Sequence, residues 1–482
     1  MWTPSILDCQ AGVGDRMRTG FDLSPLMFNA EELQTLRPGA QIVQGGRTRS
    51  WRGQRGRPEF RVVHGRVRRG EESGRIERMD RRLFLALPAV ALAQRRSVFI
   101  PSPGKGTAIM AYAFYTKRGG GEMNSIEQRW SRSDTIDMAY RRRSTDYGVT
   151  WSAPETIVTG EKRLEGMYRK HLRCGYVDPP TGRYLEFFME GVLPTDDPLE
   201  GMRRWQLFYT YAGNTHQVIH EGAAFNAAHP LPGVRAGKNS VMMGDQSCVP
   251  LTLQDGTICV PVEITPLGAN GEYFNPGKGY TWHETAVLLG KWDGDRLRWQ
   301  MSNVIRLGPE QSTRGIMEAT MARLTDGRLL LVCRASNDKT PERPSHRWAS
   351  FSSDGARTWS APVPWTYEGG ESFFSPSSCS QLLTHSNGRI YWLGNITPTN
   401  PRGNRPRFPF VIGEVDRHTG LLRKSTVRTV DTLEAGENEI LSLSNFYAYE
   451  HRKTREIVVH MTRLFAHADG WEGDAMRYAV GV

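Results

Sequence analysis

Between Gln94 and Val482 the chain has hardly a helical period, no apolar run long enough to span a bilayer, and no cysteines at metal-ligand spacing. These absences exclude a helical bundle, a helical membrane protein and a zinc-type module. Cysteine is scarce: six in 482 residues, five of them at 174, 248, 259, 333 and 379. Cys248, Cys259 and Cys333 lie in apolar strand-like runs and read as small core residues. One disulfide is compatible with an exported protein but has no assignable partners. Lysine is missing from residues 1–78, which hold fourteen arginines, scattered glycine and no sustained apolar period. Such a stretch buries too little surface to offset chain entropy. It is expected to be a disordered arm, or an extension ahead of the true start.

What is there begins at Met79. Met79-Asp-Arg81-Arg82-Leu-Phe84-Leu85 opens an apolar run closing on Ala91-Leu-Ala93, the layout of an export leader over 79–93 with a small-residue cleavage site. Arg81-Arg82-x-Phe84-Leu85 resembles a twin-arginine signal, so a periplasmic or extracellular location is expected. Of 62 basic and 51 acidic residues, residues 1–93 take 16 and 10, which leaves +5 for 94–482. That mild positive balance suits an anionic ligand. No Lys/Arg stripe with interleaved aromatics is present, so a nucleic-acid partner is not expected.

The 389 residues from 94 to 482 are glycine-rich, with short apolar runs between turn signals, an all-β pattern. Two stretches 208 residues apart share the pattern S-x-D-x-G-x-T-W: Ser144 to Trp151, and Ser352 to Trp359 with Ala356 in place of Gly148. An Asp carboxylate that accepts from the backbone ahead of it, a glycine at the bend and a closing Trp describe a hairpin turn. Lys291 to Trp299 reads as a weaker third copy. Asp178-Pro-Pro-Thr-Gly182, Asp255-Gly256, Asp326-Gly327 and Asn387-Gly388 mark further hairpins. Turns recurring this regularly imply a radial array.

The repeated octapeptides resemble the Asp-boxes of sialidases and their relatives. The resemblance implies one six-bladed β-propeller over 94–482, each blade of about 65 residues and four strands. In that family three arginines grip a carboxylate, a Tyr attacks the anomeric carbon, a Glu activates it and an Asp protonates the leaving group. Glu318 to Arg334 resembles the segment that carries the activating Glu and one triad Arg. Asp134 stands where the family places its acid, with Asp137 as neighbour and rival. Arg407, then Arg405, fits the remaining arginine. Asp245 and Gln246 replace a glycine-rich third-blade segment, and Glu263 follows Pro261. His283-Glu284 and Glu437-Asn-Glu439 are further carboxylate-bearing loops.

Two departures limit the resemblance. Phe99 stands where the family has its first arginine, and Leu443 where it has the nucleophilic Tyr; Tyr447 and Tyr449 serve only if the strand register slips. A retaining mechanism through that Tyr is therefore not expected. Glu318 as base toward water, with Asp134 as acid, gives an inverting hydrolase. Without an anionic group at the anomeric centre, a Glu nucleophile is the other route. The expectation is an exo-acting, monomeric glycosidase that releases sialic acid or a related acidic sugar from glycans, without cofactor or metal. The alternatives are a non-catalytic carbohydrate-binding propeller, and a lyase on uronic-acid polysaccharides using a histidine such as His171, His283 or His385.

Overall fold

A computed structural model describes residues 95–218, 237–467 and 470–482; the arm at 1–78 and the leader at 79–93 lie outside the described residues. Six antiparallel sheets follow one another along the chain as the blades of a propeller. Blade 1 runs Ala108–Tyr115, Met123–Trp130, Met138–Ser144 and Glu155–Ile157. Blade 2 is Gly166–Val177, Tyr184–Leu193, Gln206–Tyr211 and Asn214–Gln217, with Gly160–Arg163 hairpinned onto its start. In blade 3, Val241–Met242 and Leu251–Thr252 share the inner edge against Ile258–Ile264, followed by Glu284–Asp293 and Arg296–Met301. Blade 4 is Met317–Arg323, Leu329–Arg334, Trp348–Ser352 and Val363–Pro364. Blade 5 is Gln381–Thr384, Ile390–Asn395, Phe410–Val415 and Arg428–Asp431. Blade 6 takes Tyr447–Glu450, Ile457–Thr462 and Ala475–Val480 from the C-terminal part of the chain and its outer strand, Arg95–Ile100, from the other end. That strand pairs with residues 475–479 and closes the ring.

Each blade is covered on both faces by its neighbours, which explains why strands such as Leu329–Arg334 and Ile258–Ile264 are buried throughout instead of alternating. The core is accordingly a circuit of clusters between blades. One joins blades 1 to 3 and takes in residues of blade 6, another joins blades 3 and 4, another 4 and 5, another 5 and 6. Phe99 belongs to this packing: its ring lies 4.3 Å from that of His460 and 5.9 Å from that of Trp151.

The two repeated turns sit between the third and fourth strands of blades 1 and 4 and share one hydrogen-bond scheme. Asp146 accepts from Thr150 Oγ1 at 2.6 Å and from the Thr150 and Val149 amides at 2.9 and 3.1 Å. Asp354 accepts from Thr358 Oγ1, Thr358 N and Arg357 N at the same three distances. These bonds, the Thr150 hydroxyl first, draw the Asp146 carboxyl down to about 2. The glycine is not fixed in place: Tyr147 and Gly148 have φ of 67° and 80°, whereas Gly355 and Ala356 have 75° and 65°. Both bends need two left-handed residues, and each copy spends its glycine on a different one. Lys291 to Trp299 forms no such turn. It is a two-residue hairpin in which Asp293 pairs with Arg296 and its carboxylate accepts from Arg298 Nε.

Asp178 does more than its turn requires. Buried to 1% exposure, it accepts from Thr181 within its own hairpin (2.5 Å) and from Thr252 and Trp292 of blade 3 (2.8 and 3.1 Å). It ties blade 2 to blade 3 on the face that carries the first-to-second strand hairpins. Asp178→Ala strands three donors and should lower unfolding free energy by about 3 kcal/mol, whereas exposed Asp293→Ala should change it by under about 0.5 kcal/mol. Denaturant titration of the two variants measures the difference.

Candidate active site

The loops joining second to third strands, and those leading into each inner strand, gather on the opposite face. Blade 4 brings two groups there by one hairpin: Met317 pairs with Arg334 across a bulge, which swings Glu318 inward at φ 46°. Arg334 Nη1 meets Glu318 Oε1 at 2.5 Å, and Arg334 Nε donates to Ser377 Oγ at 2.8 Å. A left-handed glutamate is strained, and its backbone is held by Glu263, whose Oε1 accepts the Glu318 N–H at 2.6 Å.

Glu263 ends the second strand of blade 3, and Asp245 lies in the loop that interrupts that blade's inner edge. Both carboxyls are buried, with exposures of 5% and 4%. Asn445, itself left-handed at φ 55°, donates from Nδ2 to Asp245 Oδ2 at 2.7 Å. Beneath this pair two buried thiols accept backbone amides: Cys248 from Asp245 and Cys379 from Asn445. All five described cysteines are buried and unpaired. Gly244 is the gap that lets the carboxylates approach, since a Cβ there would stand 2.1 Å from Glu263 Oε1 and 2.7 Å from Glu318 Cγ.

His283 completes the blade 3 wall. Arg314 donates to Thr281 Oγ1 at 2.6 Å, Thr281 bonds His283 Nε2 at 2.8 Å, and His283 Nδ1 lies 3.2 Å from Glu263 Oε2. With its lone pairs turned to Arg314, the Thr281 hydroxyl donates to Nε2, which leaves the imidazole proton on Nδ1 facing Glu263. Burial and the Arg314 charge push the imidazole down to about 3, so it is neutral.

Four guanidiniums surround these carboxylates. Arg334 binds Glu318 directly; Arg407 donates to Ser377 O at 3.1 Å; Arg173 is held by Met243 O at 2.8 Å within electrostatic reach of Asp245; Arg314 lies within reach of Glu318, Arg334 and Asp134. The three carboxyls respond in opposite directions. Burial raises Glu318, but the Arg334 charge and hydrogen bond, then Arg407 and Arg314, outweigh it and hold the group below its usual range. Burial, then the negative Glu318, pushes Asp245 up to about 7 and Glu263 likewise to about 7. One ionised carboxylate beside two that keep their protons near neutrality is an arrangement suited to acid–base work.

Asp134 stands apart on the rim, exposed and left-handed at φ 52°, where it accepts from Tyr280 Oη at 3.3 Å. Asp137 instead caps its own loop by accepting the Ser131 N–H. Arg405 turns to the Ile440 carbonyl, and Gln246, buried beside Asp245, contributes its backbone to that carboxyl. Glu284 pairs with Arg306, and Glu437 with Arg463. His171 packs against Trp130 and Trp205, and His385 bonds the Arg455 carbonyl. Leu443 is fully buried in the cluster between blades 5 and 6, while Tyr447 packs at a tilt against Tyr112 and Tyr449 edge-on against Tyr115. Among the described residues no phenol therefore occupies the position opposite Glu318 that the resemblance would give it. Arg173, Arg314 and Asn445 were not legible as site residues in the sequence. Their only signal was an arginine inside the apolar His171-Leu-Arg-Cys-Gly strand, and the serine–asparagine step after Leu443.

A sequence family described as a BNR repeat-like domain matches residues 201–440. The fold is a six-bladed β-propeller, and within it the residues from 201 to 440 are similar to a BNR repeat-like domain. Among solved structures it resembles a Dyadobacter fermentans protein of unknown function, with 13% identity, 80% of this chain and 99% of that one covered, and a TM-score of 0.49. A Trypanosoma rangeli sialidase in complex with 2,3-difluorosialic acid has 13% identity, coverage of 80% and 59%, and a TM-score of 0.49. A Penicillium chrysogenum α-L-arabinanase has 13% identity, coverage of 80% and 98%, and a TM-score of 0.47. No curated protein sequence matches the chain.

Two outcomes follow from this geometry. Gly244→Ala should leave the circular-dichroism spectrum of the fold intact while displacing Glu263 and Glu318 and weakening whatever ligand the site binds; thermal shift with ligand reads the loss. Asp245 holds a proton more tightly folded, at about 7, than unfolded, near 3.8, so the native state loses stability as pH rises from about 4 to 7. Asp245→Asn removes that penalty and should raise the melting temperature at pH 8 by several degrees, with little change at pH 4.

Proposed function

We propose that the chain is an exo-acting glycoside hydrolase that releases a terminal acidic sugar, sialic acid or a relative, from glycans with inversion. The observation that carries this reading is a set of neighbouring buried polar atoms in this cluster without a hydrogen-bond partner: Glu318 Oε2, Asp245 Oδ1 and Arg407 Nε. Buried polar atoms are nearly always satisfied, so these three mark where a ligand supplies the missing bonds. Guanidiniums match a carboxylate in charge and in planar geometry, which favours an anionic sugar.

In this reading ionised Glu318 accepts a proton from water through its free Oε2 as the water attacks the anomeric carbon. Asp134, on the rim and held by the Tyr280 hydroxyl, gives its proton to the departing glycosidic oxygen. Arg314 is within electrostatic reach of both carboxylates, which do not touch. An inverting pair needs a separation of roughly 6.5–9.5 Å, which leaves room for water. Protonated Asp245 is free to donate a hydrogen bond to the sugar from the floor.

The lyase reading has less support. Tyr280 is raised by burial and Asp134, and His283 is lowered by burial to about 3 with its Nε2 bonded to Thr281, so neither is poised as a base. A purely binding propeller has no use for carboxyls driven to opposite protonation states. Export through the leader at 79–93 belongs to the proposal, since glycan substrates of this kind lie outside the cell.

Proton NMR during cleavage of α2,3- and α2,6-sialyllactose tests it. The β-anomer of sialic acid should appear first, and Glu318→Gln, which keeps the hydrogen bond to Arg334, should lower kcat by about a thousandfold. The α-anomer first would replace inversion by retention, and no release from either would remove sialic acid from the reading. Charge gives a second test. Above pH 7 Asp245 and Glu263 ionise and join Glu318 against the guanidiniums. KM for the anionic sugar should therefore rise as pH passes from 6 to 8, whereas a neutral glycoside should show no such rise.

A further inference from the structure

A cleft of about 600 Å³ enters between blades 1 and 2 on the face opposite the mouth, beside the turn at residues 210–213 that joins the third and fourth strands of blade 2. We infer that it is a second ligand site, for an organic carboxylate carried on a flat apolar body such as an aryl ring. The inference does not depend on the hydrolase reading, because none of the residues that carry it belongs to the mouth.

The cleft holds one cation that the protein leaves without a counter-ion. Lys170, half-buried on the inner strand of blade 2, has its ammonium 3.6 Å from the centre of the Phe188 ring, and among the described residues no carboxylate pairs with it. The nearby acids are committed elsewhere. Glu190, its cross-strand partner, accepts from Tyr168 Oη at 2.7 Å. Glu186 accepts from Tyr184 Oη and Arg141 Nη2, each at 2.5 Å, and from Asn124 Nδ2 at 3.2 Å. At the rim Glu155 is paired with Arg143 at 2.8 Å. Burial therefore lowers the Lys170 pKa in spite of the Glu190 and Glu186 charges, and a ring face is a weak substitute for an anion. Arg141 adds a second open donor: with Nη2 given to Glu186, its Nε is buried and has no hydrogen-bond partner. What stays uncommitted in the cleft is positive charge and N–H, which calls for an anionic acceptor.

The walls decide what that anion is attached to. Phe114 and Tyr184 stack with ring centres 6.4 Å apart, Phe188 stacks on Phe208 at 5.5 Å, and Leu172 and Ile126 complete the apolar lining. Rings held by their neighbours offer a fixed apolar surface to a flat ligand, and a volume of this size matches a small-molecule site. Inorganic phosphate would meet the ammonium but leave these walls uncovered.

Fluorescence titration of the full chain with 2-naphthoate, its neutral counterpart 2-naphthamide, and acetate tests the site. Naphthoate should bind at least about tenfold more tightly than either. Lys170→Met, which keeps an unbranched apolar stem against Phe188, should weaken naphthoate about tenfold and leave naphthamide unchanged, and Lys170→Arg should restore the binding of the acid. Wild-type protein gives an independent reading. Sulfosuccinimidyl acetate followed by mass spectrometry should acetylate Lys170 more slowly when naphthoate is present, with the exposed Lys162 unaffected. No naphthoate binding, naphthamide bound as tightly as the acid, or naphthoate binding that survives Lys170→Met overturns the site. So does labelling of Lys170 that naphthoate does not slow, the outcome expected if the acid meets only the guanidiniums of the mouth.

Discussion

Ring closure is the constraint on which the rest of the molecule depends. A blade in this protein is apolar on both faces, so no sheet is stable alone, and each needs a neighbour on either side. Only a closed circle supplies that for every blade. The closing strand, Arg95–Ile100, comes from the other end of the described chain and lies on residues 475–479 through main-chain hydrogen bonds, which make few demands on side chains. Its residues are largely exposed for that reason. What the strand contributes is the sixth blade's missing edge, and with it the fixed circumference that sets how far apart the loops of opposite blades stand.

That circumference makes the site possible. Glu318 and Arg334 come from blade 4, Glu263 and Asp245 from blade 3, Arg173 from blade 2, Arg407 from blade 5 and Asn445 from the approach to blade 6. Like charges so close repel, and burial adds the loss of hydration. The molecule meets this by keeping one carboxylate ionised against Arg334 and the other two protonated, and by holding backbones in left-handed conformations at Glu318 and Asn445. Strain and buried charge of this kind persist only where the surrounding scaffold over-determines them. The thiols of Cys248 and Cys379 belong to that scaffold: as weak acceptors under the Asp245 and Asn445 amides they fix the loops without adding charge.

Legibility in the sequence followed the range of the interaction. Turns whose bonds lie within five residues were readable, which is why Ser144–Trp151 and Ser352–Trp359 disclosed the propeller. The hairpin from Glu318 to Arg334 was readable too, because one turn sets its geometry. Lys291–Trp299 misled, since Asp and Trp at the right spacing also suit a two-residue hairpin whose Trp packs on the preceding blade. Arg173 and Arg314 were invisible for a different reason. An arginine in an apolar strand declares its function only when four other blades are in place around it. Arg405 and Arg407 show the limit well: two residues apart on one loop, one faces the Ile440 carbonyl and the other the guanidinium cluster.

The absence of a phenol opposite Glu318 is structural and not a matter of register. Leu443 accepts the Asn395 amide with its carbonyl, donates its own N–H to the Arg407 carbonyl and is sealed by Phe446 and Phe410, so its backbone and side chain are both committed to the seam between blades 5 and 6. The next inward-facing group is Asn445, whose amide is already given to Asp245. A carboxylate relieved of activating a phenol keeps one oxygen on Arg334 and has the other to offer. Lowered in pKa, Glu318 is a weaker base than an unperturbed glutamate, yet it is ionised well before Asp245 gives up its proton at about 7. The coexistence of those two states in one buried cluster, not the strength of either group, is what suits the mouth to acid–base work.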